Sequence, residues 1–278
     1  MAYEAFAVEV KDHVAHLQLK RPDQLNTMIP AFWTEIKAIF ETLAEDPAVR
    51  VAVISSTGKH FTAGMDLSVF GSLVPQTSDQ GRLRENFRRL ILNIQDCFNV
   101  IEKARFPVLA AIQGGCIGGG VDMVTACDAR YCSADGFFQI AEINIGMTAD
   151  VGTLQRLPHL IPQGMVRELA YTGRRLTAKR ALELGLVNEV FESHEALIEG
   201  VMAVAREIAG HSPLAIAGTK EMLNYTRDHT VADGLNYIAT WNAAMFIGND
   251  MGEALAARAQ KRDPVYEDLQ PATRKIFG

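Results

Sequence analysis

The chain has 278 residues, of which 27 are basic and 33 are acidic, so its formal net charge is −6 at pH 7. A globular chain of this length buries roughly 75% of the surface that its unfolded form exposes, so it needs neither disulfides nor a structural metal. The net negative charge argues against nucleic-acid binding, which requires a concentrated basic face. The one basic cluster, Arg82, Arg84, Arg88 and Arg89, is interrupted by Glu85 and is interpreted as the solvated face of a helix.

The cysteines and the chain ends bear on the cellular compartment. The four cysteines lie in apolar segments and form neither a C-x-x-C pair nor a cluster with histidine, which favours reduced thiols. The first residues contain an early acid and no basic stretch before an apolar run, so they indicate no signal or transit peptide. Residues 275–278 do not form a peroxisomal S-K-L signal. Together these observations predict a cytoplasmic location.

The first hundred residues show an alternation of strand and helix patterns. Apolar residues alternate with polar ones over 6–10 and again over 15–19, which predicts a hairpin that turns at 11–13. A helix is predicted to begin at Pro30, because apolar residues then recur at helical spacing up to Leu43. The continuous apolar run 51–54 is typical of a strand that is covered on both faces.

A second buried strand is predicted over 108–112, followed by a glycine-rich segment at 114–120 and a helix over 121–127. The stretch 106–127 is nearly uncharged, but Asp122 and several glycines interrupt it, so it is not interpreted as a membrane span. Strands that are joined by helical crossovers pair in parallel, which makes the fold class α/β.

No strand is predicted after about residue 195. Segments 195–209, 213–226 and 231–259 carry apolar residues at helical spacing. Helical periodicity alone does not decide whether these helices pack on their own core or form a subunit interface. We therefore expect an α/β core over 1–195 and a helical C-terminal region over 196–278.

The glycine-rich segment 114–120 has two interpretations. Glycines that open a helix leave N–H groups free at the positive end of the helix dipole, which is how an oxyanion site is built. The alternative is close packing of helix against strand. No G-x-G-x-x-G motif and no Walker loop occurs in the chain. The segment 114–118 also fits G-x-C-x-G, so a thiol hydrolase with Cys116 as its nucleophile is a rival hypothesis, although none of the available histidines has a motif around it.

Three acids lie in unusually apolar, glycine-rich surroundings: Asp122, Glu142 and Asp150. Asp122 comes one helical turn after Gly118, which places it on the face where the free N–H groups gather. A single acid is most often a solvated surface residue. Burial of a carboxyl group raises its pKa toward the range that is useful for proton transfer, so these three are the candidate acid–base residues.

Two segments, 58–67 (GKHFTAGMDL) and 117–122 (IGGGVD), resemble the signature segments of the crotonase superfamily, also called the enoyl-CoA hydratase/isomerase family. The resemblance implies a spiral of ββα turns, a helical C-terminal trimerisation region, a homo-trimer or hexamer, and an acyl-CoA thioester substrate. It further implies that the N–H groups of Met65 and Gly119 form an oxyanion hole for the thioester oxygen.

The segments 115–122 and 149–158, with Glu142 between them, resemble the Δ3,5-Δ2,4-dienoyl-CoA isomerases, a subfamily that uses three acids in this order. This implies a role in fatty-acid β-oxidation. Shifting a 3,5-diene to a 2,4-diene takes a proton from C2 and returns one at C6. We assign Glu142 as the C2 base and Asp150 as the C6 acid, with Asp122 tuning them or ordering the substrate.

Other functions stay open at this point. An enoyl-CoA hydratase or a Δ3-Δ2-enoyl-CoA isomerase of the same family is the first alternative, and a non-catalytic binder that uses the fold as a scaffold is the last. No metal and no redox cofactor is expected, since coenzyme A is part of the substrate, and no nucleic-acid or membrane partner is expected. The residues predicted to contact the coenzyme or the substrate are Lys20, Arg21, Phe61, Thr62, Ala63 and Gly118.

Overall fold

The computed structural model describes residues 3–70 and 79–272. Nine strands lie in this part of the chain, and they agree with the predicted α/β class. Residues 273–278, which include the tail compared with a peroxisomal signal, lie outside the described residues. The strands are β1 (Phe6–Lys11), β2 (Val14–Leu19), β3 (Val51–Ser56), β4 (Val108–Ile112), β5 (Gly115–Ile117), β6 (Ala129–Ser133), β7 (Phe137–Gln139), β8 (Leu176–Thr177) and β9 (Glu189–Phe191).

These strands form two sheets. The larger has the order β1-β2-β3-β4-β6-β9, in which β1 and β2 pair antiparallel and every later pair is parallel. The smaller has the order β5-β7-β8. The predicted hairpin is confirmed, and it turns through Asp12 and His13, which both have positive φ. The predicted strand at 108–112 matches β4 in full.

Eleven α-helices lie in residues 3–70 and 79–272. They are α1 (Pro30–Glu45), α2 (Leu67–Phe70), α3 (Gln80–Glu102), α4 (Gly119–Thr125), α5 (Thr153–Arg156), α6 (Gln163–Thr172), α7 (Ala178–Leu184), α8 (His194–Ala209), α9 (Pro213–Asp228), α10 (Val231–Met245) and α11 (Asn249–Gln260), with 3₁₀ turns at Pro22–Gln24, Glu142–Ile145 and Leu157–His159.

The larger sheet is covered on both faces, which explains the continuous apolar runs of β4 and of residues 51–54 in β3. In β3, Ile54 belongs to the cluster that contains Phe32 of α1 and Phe98 of α3. Its neighbour Val53 belongs to the opposite cluster, which contains Leu197 of α8. All six residues of β3 are buried. A strand with two buried faces loses the alternation of polar and apolar residues that marks a half-exposed strand.

The C-terminal part is helical, as predicted, but the segment 231–259 is not one helix. It breaks between Met245 and Asn249, where Gly248 has an extended backbone as the N-cap of α11. The predicted boundary at 195/196 falls inside the first turn of helix α8, which begins at His194 and packs on the larger sheet. The division at this boundary stays a prediction.

The stretch 106–127 folds as the succession β4, β5 and α4. Among the described residues, no helix combines the length and the apolar composition that crossing a membrane requires. The basic cluster of α3 is exposed, as its interpretation as a solvated face requires, and Arg89 pairs there with Glu85 one turn earlier.

Candidate functional site

Two distant segments meet through backbone hydrogen bonds at the end of the larger sheet. The Phe61 N–H donates to the carbonyl oxygen of Gln113 at 2.8 Å, and the Ile117 N–H donates to that of Thr62 at 3.1 Å. The loop that follows Thr62 therefore runs beside β5 and reaches the start of α4. This pairing brings the two recognisable sequence segments together although more than 50 residues separate them.

Asp122 is the deepest of the three acids. It lies in the first turn of α4, is 1% exposed, and accepts a hydrogen bond from the Thr153 N–H to its Oδ1 at 2.6 Å. Burial raises the pKa of Asp122 to about 6, although the hydrogen bonds from Thr153 oppose the shift. A buried carboxyl whose pKa is raised toward neutral pH is typical of a functional site.

Glu142 begins a 3₁₀ turn, and its carboxyl group lies over the backbone of Gly118. A Cβ atom placed on Gly118 would stand 3.2 Å from Glu142 Oε1, and Gly118 has a φ of +53°. Burial raises the pKa of Glu142 to about 7, and the neighbouring charges of Asp122 and Asp150 raise it further. Its Oε2 is buried and meets no hydrogen-bond partner among the described residues, which leaves that oxygen free to accept a proton.

Asp150 is partly buried and immediately precedes the turn into α5. Burial raises the pKa of Asp150 as well. The Gln95 side chain donates from Nε2 to the Asp150 carbonyl oxygen at 2.7 Å, which fixes the backbone from which the carboxyl projects. All three predicted acids thus lie close enough to influence one another's ionisation, on three separate elements.

The two N–H groups predicted to form an oxyanion hole lie on the paired loops. A Cβ atom on Gly64 would stand 3.5 Å from the Gly119 nitrogen, so the backbone before Met65 passes directly beside Gly119. Among the described residues, neither the Met65 N–H nor the Gly119 N–H donates a hydrogen bond. Met28 joins the two loops, since it forms a backbone bridge with Met65 and its Sδ would stand 3.0 Å from a Cβ on Gly119.

The two interpretations of the glycine run apply to different residues. Close packing explains Gly120, because a Cβ atom there would stand 2.5 Å from Thr62 Cγ2 and 3.2 Å from Cys116 Sγ. Gly118 and Gly119 instead face the carboxyl of Glu142 and the Met28 side chain. The segment therefore serves packing on one side and leaves backbone open to the candidate site on the other.

Not every residue predicted to contact the coenzyme presents a side chain to a ligand. Phe61 and Thr62 are fully buried, so only their backbone could contact one. The Thr62 hydroxyl donates to the Asn26 carbonyl and accepts from the Gly64 N–H, which holds the loop in place. Ala63 is partly buried, and its N–H donates to the Leu25 carbonyl.

The two predicted basic residues lie at the edge of the same region. Lys20 is exposed, and its Nζ donates to the carbonyl of Tyr3. Arg21 is partly buried, and its Nη1 donates to the carbonyl of Thr27 at 3.0 Å. Both side chains are therefore held by backbone oxygens rather than by carboxylates, and each keeps its charge uncompensated by a direct ion pair in the described part of the chain.

Cys116 does not have the surroundings of a catalytic thiol. It is fully buried, and burial raises the pKa of its thiol well above the usual value. His60, a candidate base whose ring lies beside the backbone of this segment, accepts a hydrogen bond at Nδ1 from the Gly115 N–H at 2.9 Å. A nucleophilic cysteine needs access and a lowered pKa, so the thiol-hydrolase alternative fails on both counts.

An apolar cavity of about 410 Å³ reaches the Glu142 side chain. No group of three or more histidine, cysteine or acidic side chains in residues 3–70 and 79–272 is arranged to hold a metal ion. The cavity is lined by Ile140, Glu142, Ile143, Met147, Thr148, Ala149, Leu154, Pro158, Gln163, Val166, Arg167, Ala170 and Tyr171.

The sequence is similar to proteins of known activity over nearly its whole length. It is 46% identical to the human mitochondrial Δ3,5-Δ2,4-dienoyl-CoA isomerase over 266 residues, which cover 94% of this chain and 81% of the human protein. It is also 46% identical to the peroxisomal enzyme of the same name from Arabidopsis thaliana, over 92% of this chain and 93% of that protein.

The predicted cytoplasmic location is wrong, because these relatives are mitochondrial and peroxisomal by name. The prediction rested on reduced thiols and on short terminal segments. Reduced cysteines report a redox state rather than one compartment, and targeting signals are short addresses that receptors read independently of the folded core.

The structure agrees with the sequence comparison. It matches the crystal structure of an enoyl-CoA hydratase from Bacillus anthracis with a TM-score of 0.85 at 29% identity, over 95% of this chain and 99% of that one. The model of the enoyl-CoA hydratase/isomerase family matches residues 9–270. These matches confirm the predicted crotonase-like fold, and the chain belongs to the enoyl-CoA hydratase/isomerase family.

Proposed function

We propose that this protein converts 3,5-dienoyl-CoA to 2,4-dienoyl-CoA. The observation that carries the proposal is the set of three neighbouring carboxyl groups beside a glycine-rich helix start. Asp122 is buried, Glu142 and Asp150 are partly buried, and the pKa of each is raised. The 46% identity to Δ3,5-Δ2,4-dienoyl-CoA isomerases supports the same conclusion.

Glu142 takes the proton from C2. The C2 carbon is bonded to the thioester carbonyl, so its base must lie beside the group that holds the carbonyl oxygen. Glu142 meets this condition, because its carboxyl group lies over Gly118, next to the Gly119 N–H. As the C–H bond breaks, its electron pair enters the conjugated system and negative charge develops on the thioester oxygen, where the N–H groups of Met65 and Gly119 stabilise it.

Asp150 supplies the proton at C6. The electron pair moves along the conjugated chain, the double bonds shift from positions 3 and 5 to 2 and 4, and a new C6–H bond forms with the proton of the Asp150 carboxyl. One proton leaves and one returns, so the reaction consumes no co-reactant. We therefore propose that it requires neither a metal nor a redox cofactor.

The primary test is a spectrophotometric assay with 3,5-dienoyl-CoA that follows formation of the conjugated 2,4-dienoyl thioester. The matched comparison is 2-trans-enoyl-CoA, with formation of 3-hydroxyacyl-CoA as the signal. We expect isomerisation to be the faster reaction. Hydration that is much faster than diene isomerisation would overturn the proposal in favour of an enoyl-CoA hydratase.

The pair of Glu142 and Asp150 must carry one proton in the active state. We therefore expect a bell-shaped dependence of kcat/KM on pH. Activity falls on the alkaline side, with an apparent pKa of about 7, as the pair loses its last proton. It falls on the acid side as both groups become protonated. A rate that keeps rising well above pH 8 would contradict this prediction.

The pH profile is the same whichever carboxyl is the base, so isotope exchange must assign the roles. In D₂O, Asp150→Asn is expected to lose product formation while it still exchanges the C2 protons of 3,5-dienoyl-CoA, because Glu142 is intact. Mass spectrometry of the recovered substrate measures the exchange. If C2 exchange vanishes while C6 exchange survives, the two roles are reversed.

The apolar cavity and the two basic side chains indicate where the acyl chain and the coenzyme bind. We propose that the acyl chain occupies the apolar cavity beside Glu142, and that Lys20 and Arg21, with the loop backbone at 61–63 and Gly118, contact the coenzyme. Fatty-acid β-oxidation is the pathway that this substrate class implies.

We also propose that the chain assembles as a homo-trimer or a hexamer of such trimers. The C-terminal helices expose large apolar side chains, including Leu223, Leu235 and Leu255, and Ile247 is 93% exposed. Monomeric proteins rarely expose a cluster of this kind. Light scattering coupled to size-exclusion chromatography measures the molecular mass, and a monomer would contradict the proposal.

A further inference from the structure

One face of helix α3 holds the turn at residues 150–153. Gln95, Asn99 and Glu102 follow one another at intervals of four and three residues, so their side chains lie in one row. Gln95 donates to the Asp150 carbonyl oxygen at 2.7 Å. Asn99 and Glu102 both bind the guanidinium group of Arg156, which lies one helical turn beyond that loop.

Arg156 is fixed at several atoms. Its Nη2 donates to Asn99 Oδ1 at 2.6 Å and to Glu102 Oε2 at 3.0 Å, and its Nε donates to the same Glu102 oxygen at 3.2 Å. Its side chain is 12% exposed, and that of Glu102 is 17% exposed. Arg227 of helix α9 donates to the other Glu102 oxygen. The hydrogen bonds and charges of both arginines hold the pKa of Glu102 below its usual value against the effect of burial.

The guanidinium group packs directly on the backbone of the turn. A Cβ atom on Gly152 would stand 2.0 Å from Arg156 Nη1, and Gly152 has a φ of +135°. Only glycine leaves room for this contact. The positions of the Arg156 guanidinium group and of the turn are therefore coupled, because a displacement of either one displaces the other.

The same turn carries two parts of the proposed acid–base machinery. Asp150 begins it, and the Thr153 N–H at its end donates to Asp122 Oδ1 at 2.6 Å. Glu142 lies on a separate 3₁₀ turn that is closed by its own bonds, such as the Met147 N–H to the Glu142 carbonyl at 3.0 Å. A displacement of residues 150–153 thus affects the two aspartates and leaves the support of Glu142 in place.

We propose that Arg156 is a positioning residue: held by Asn99 and Glu102, it fixes the turn 150–153 and so sets the positions of both Asp150 and the hydrogen-bond donor of Asp122. This inference rests on the proposed isomerase function. It assigns no contact between Arg156 and the substrate, and it gives the charged network behind the site a structural role.

The test compares Arg156→Gln and Arg156→Lys with wild type in the isomerisation and D₂O exchange assays. We expect Arg156→Gln to lower kcat for isomerisation by about 10- to 100-fold, as is usual when catalytic groups are displaced by about 1 Å. Exchange at C2 should stay within about threefold of wild type, because Glu142 keeps its support. Lysine retains the charge but not the forked hydrogen bonds, so kcat of Arg156→Lys should lie between that of wild type and that of Arg156→Gln.

The ratio of the two rates separates positioning from general destabilisation. A poorly folded variant loses exchange and isomerisation in equal proportion, whereas displacement of Asp150 should reproduce, more weakly, the pattern of Asp150→Asn. This expectation takes Glu142 as the C2 base, as proposed above. Arg180→Gln is the matched control, because Arg180 forms an exposed ion pair with Glu183 and should leave both rates unchanged.

A milder variant keeps the inference testable if Arg156→Gln does not fold. Asn99→Ala removes the bond from Arg156 Nη2, together with the bond that Asn99 Nδ2 donates to Asp96 Oδ1 at 3.0 Å. It leaves both bonds from Arg156 to Glu102 and should shift the same ratio in the same direction by a smaller factor. An unchanged ratio in the folded variants, or an equal loss of both rates, overturns the positioning role. Absence of isomerisation in the wild-type protein overturns the proposed function instead, so the two failures are distinct.

Discussion

Glu142→Gln is expected to abolish C2 exchange and isomerisation together, with a loss of kcat of roughly 10³-fold. The amide cannot accept the C2 proton, and removal of a general base costs typically 10²–10⁴-fold. Measuring both rates in D₂O on the same sample checks this. The expected pattern differs from that of Asp150→Asn, in which C2 exchange persists. Persistence of C2 exchange in Glu142→Gln would assign the C2 base to another group.

The same substitution should make the protein more stable at alkaline pH. The pKa of Glu142 is raised to about 7 in the folded state, from a usual value of 4.5. A carboxyl with a raised folded-state pKa destabilises the fold progressively as pH rises from the unfolded to the folded pKa. Glutamine carries no such charge, so the increase in Tm relative to wild type should be larger at pH 8 than at pH 5. A lower Tm at pH 8 would show that the variant has lost structure.

Gly64→Ala is expected to lower kcat by about 10²-fold, which is comparable to the loss of one oxyanion-hole donor. Gly64 has a φ of +86°, and its added Cβ would stand 2.7 Å from the Ile117 carbonyl oxygen. The Cβ is fixed directly to the backbone of one loop and the oxygen belongs to the backbone of the other, so the two paired loops must move apart. That movement displaces the Met65 N–H relative to the Gly119 N–H. Steady-state kinetics with 3,5-dienoyl-CoA measures the loss.

Gly185→Ala provides the matched control for Gly64→Ala. Its φ of +81° imposes nearly the same backbone strain, but the added Cβ meets nothing within 4 Å. We expect a modest fall in Tm and an unchanged kcat. Equal losses of kcat in the two variants would mean that strain alone, rather than the position of Met65, explains the effect at Gly64.

The sequence predicts the parts of the fold that depend on local patterns. The strand β4 and the helix that begins at Pro30 follow from continuous or periodic apolar residues and from a proline in the first helical turn. The positions of Asp122, Glu142 and Asp150 were predictable as acids in apolar surroundings. The family resemblance supplied their roles, because periodicity contains no information on which atoms of a substrate they face.

The contacts that hold the candidate site in place were not predictable, because they join residues that are far apart in the chain. Arg156 binds Glu102 across 54 positions, and nothing in either local sequence distinguishes this pair from two solvated charges. Met28 reads as an ordinary apolar residue, yet it bridges the two loops of the candidate oxyanion site. The break before α11 was missed because Gly248 interrupts an apolar pattern that continues on both sides.

The burial of every cysteine has a consequence for how this protein withstands oxidation. Cys97, Cys116, Cys127 and Cys132 are all buried, and burial raises the pKa of each thiol. Peroxide attacks the exposed thiolate, so neither condition for sulfenic acid formation is met. We therefore expect the four thiols to stay reduced in peroxide, so that oxidation of cysteine offers no route to controlling this protein.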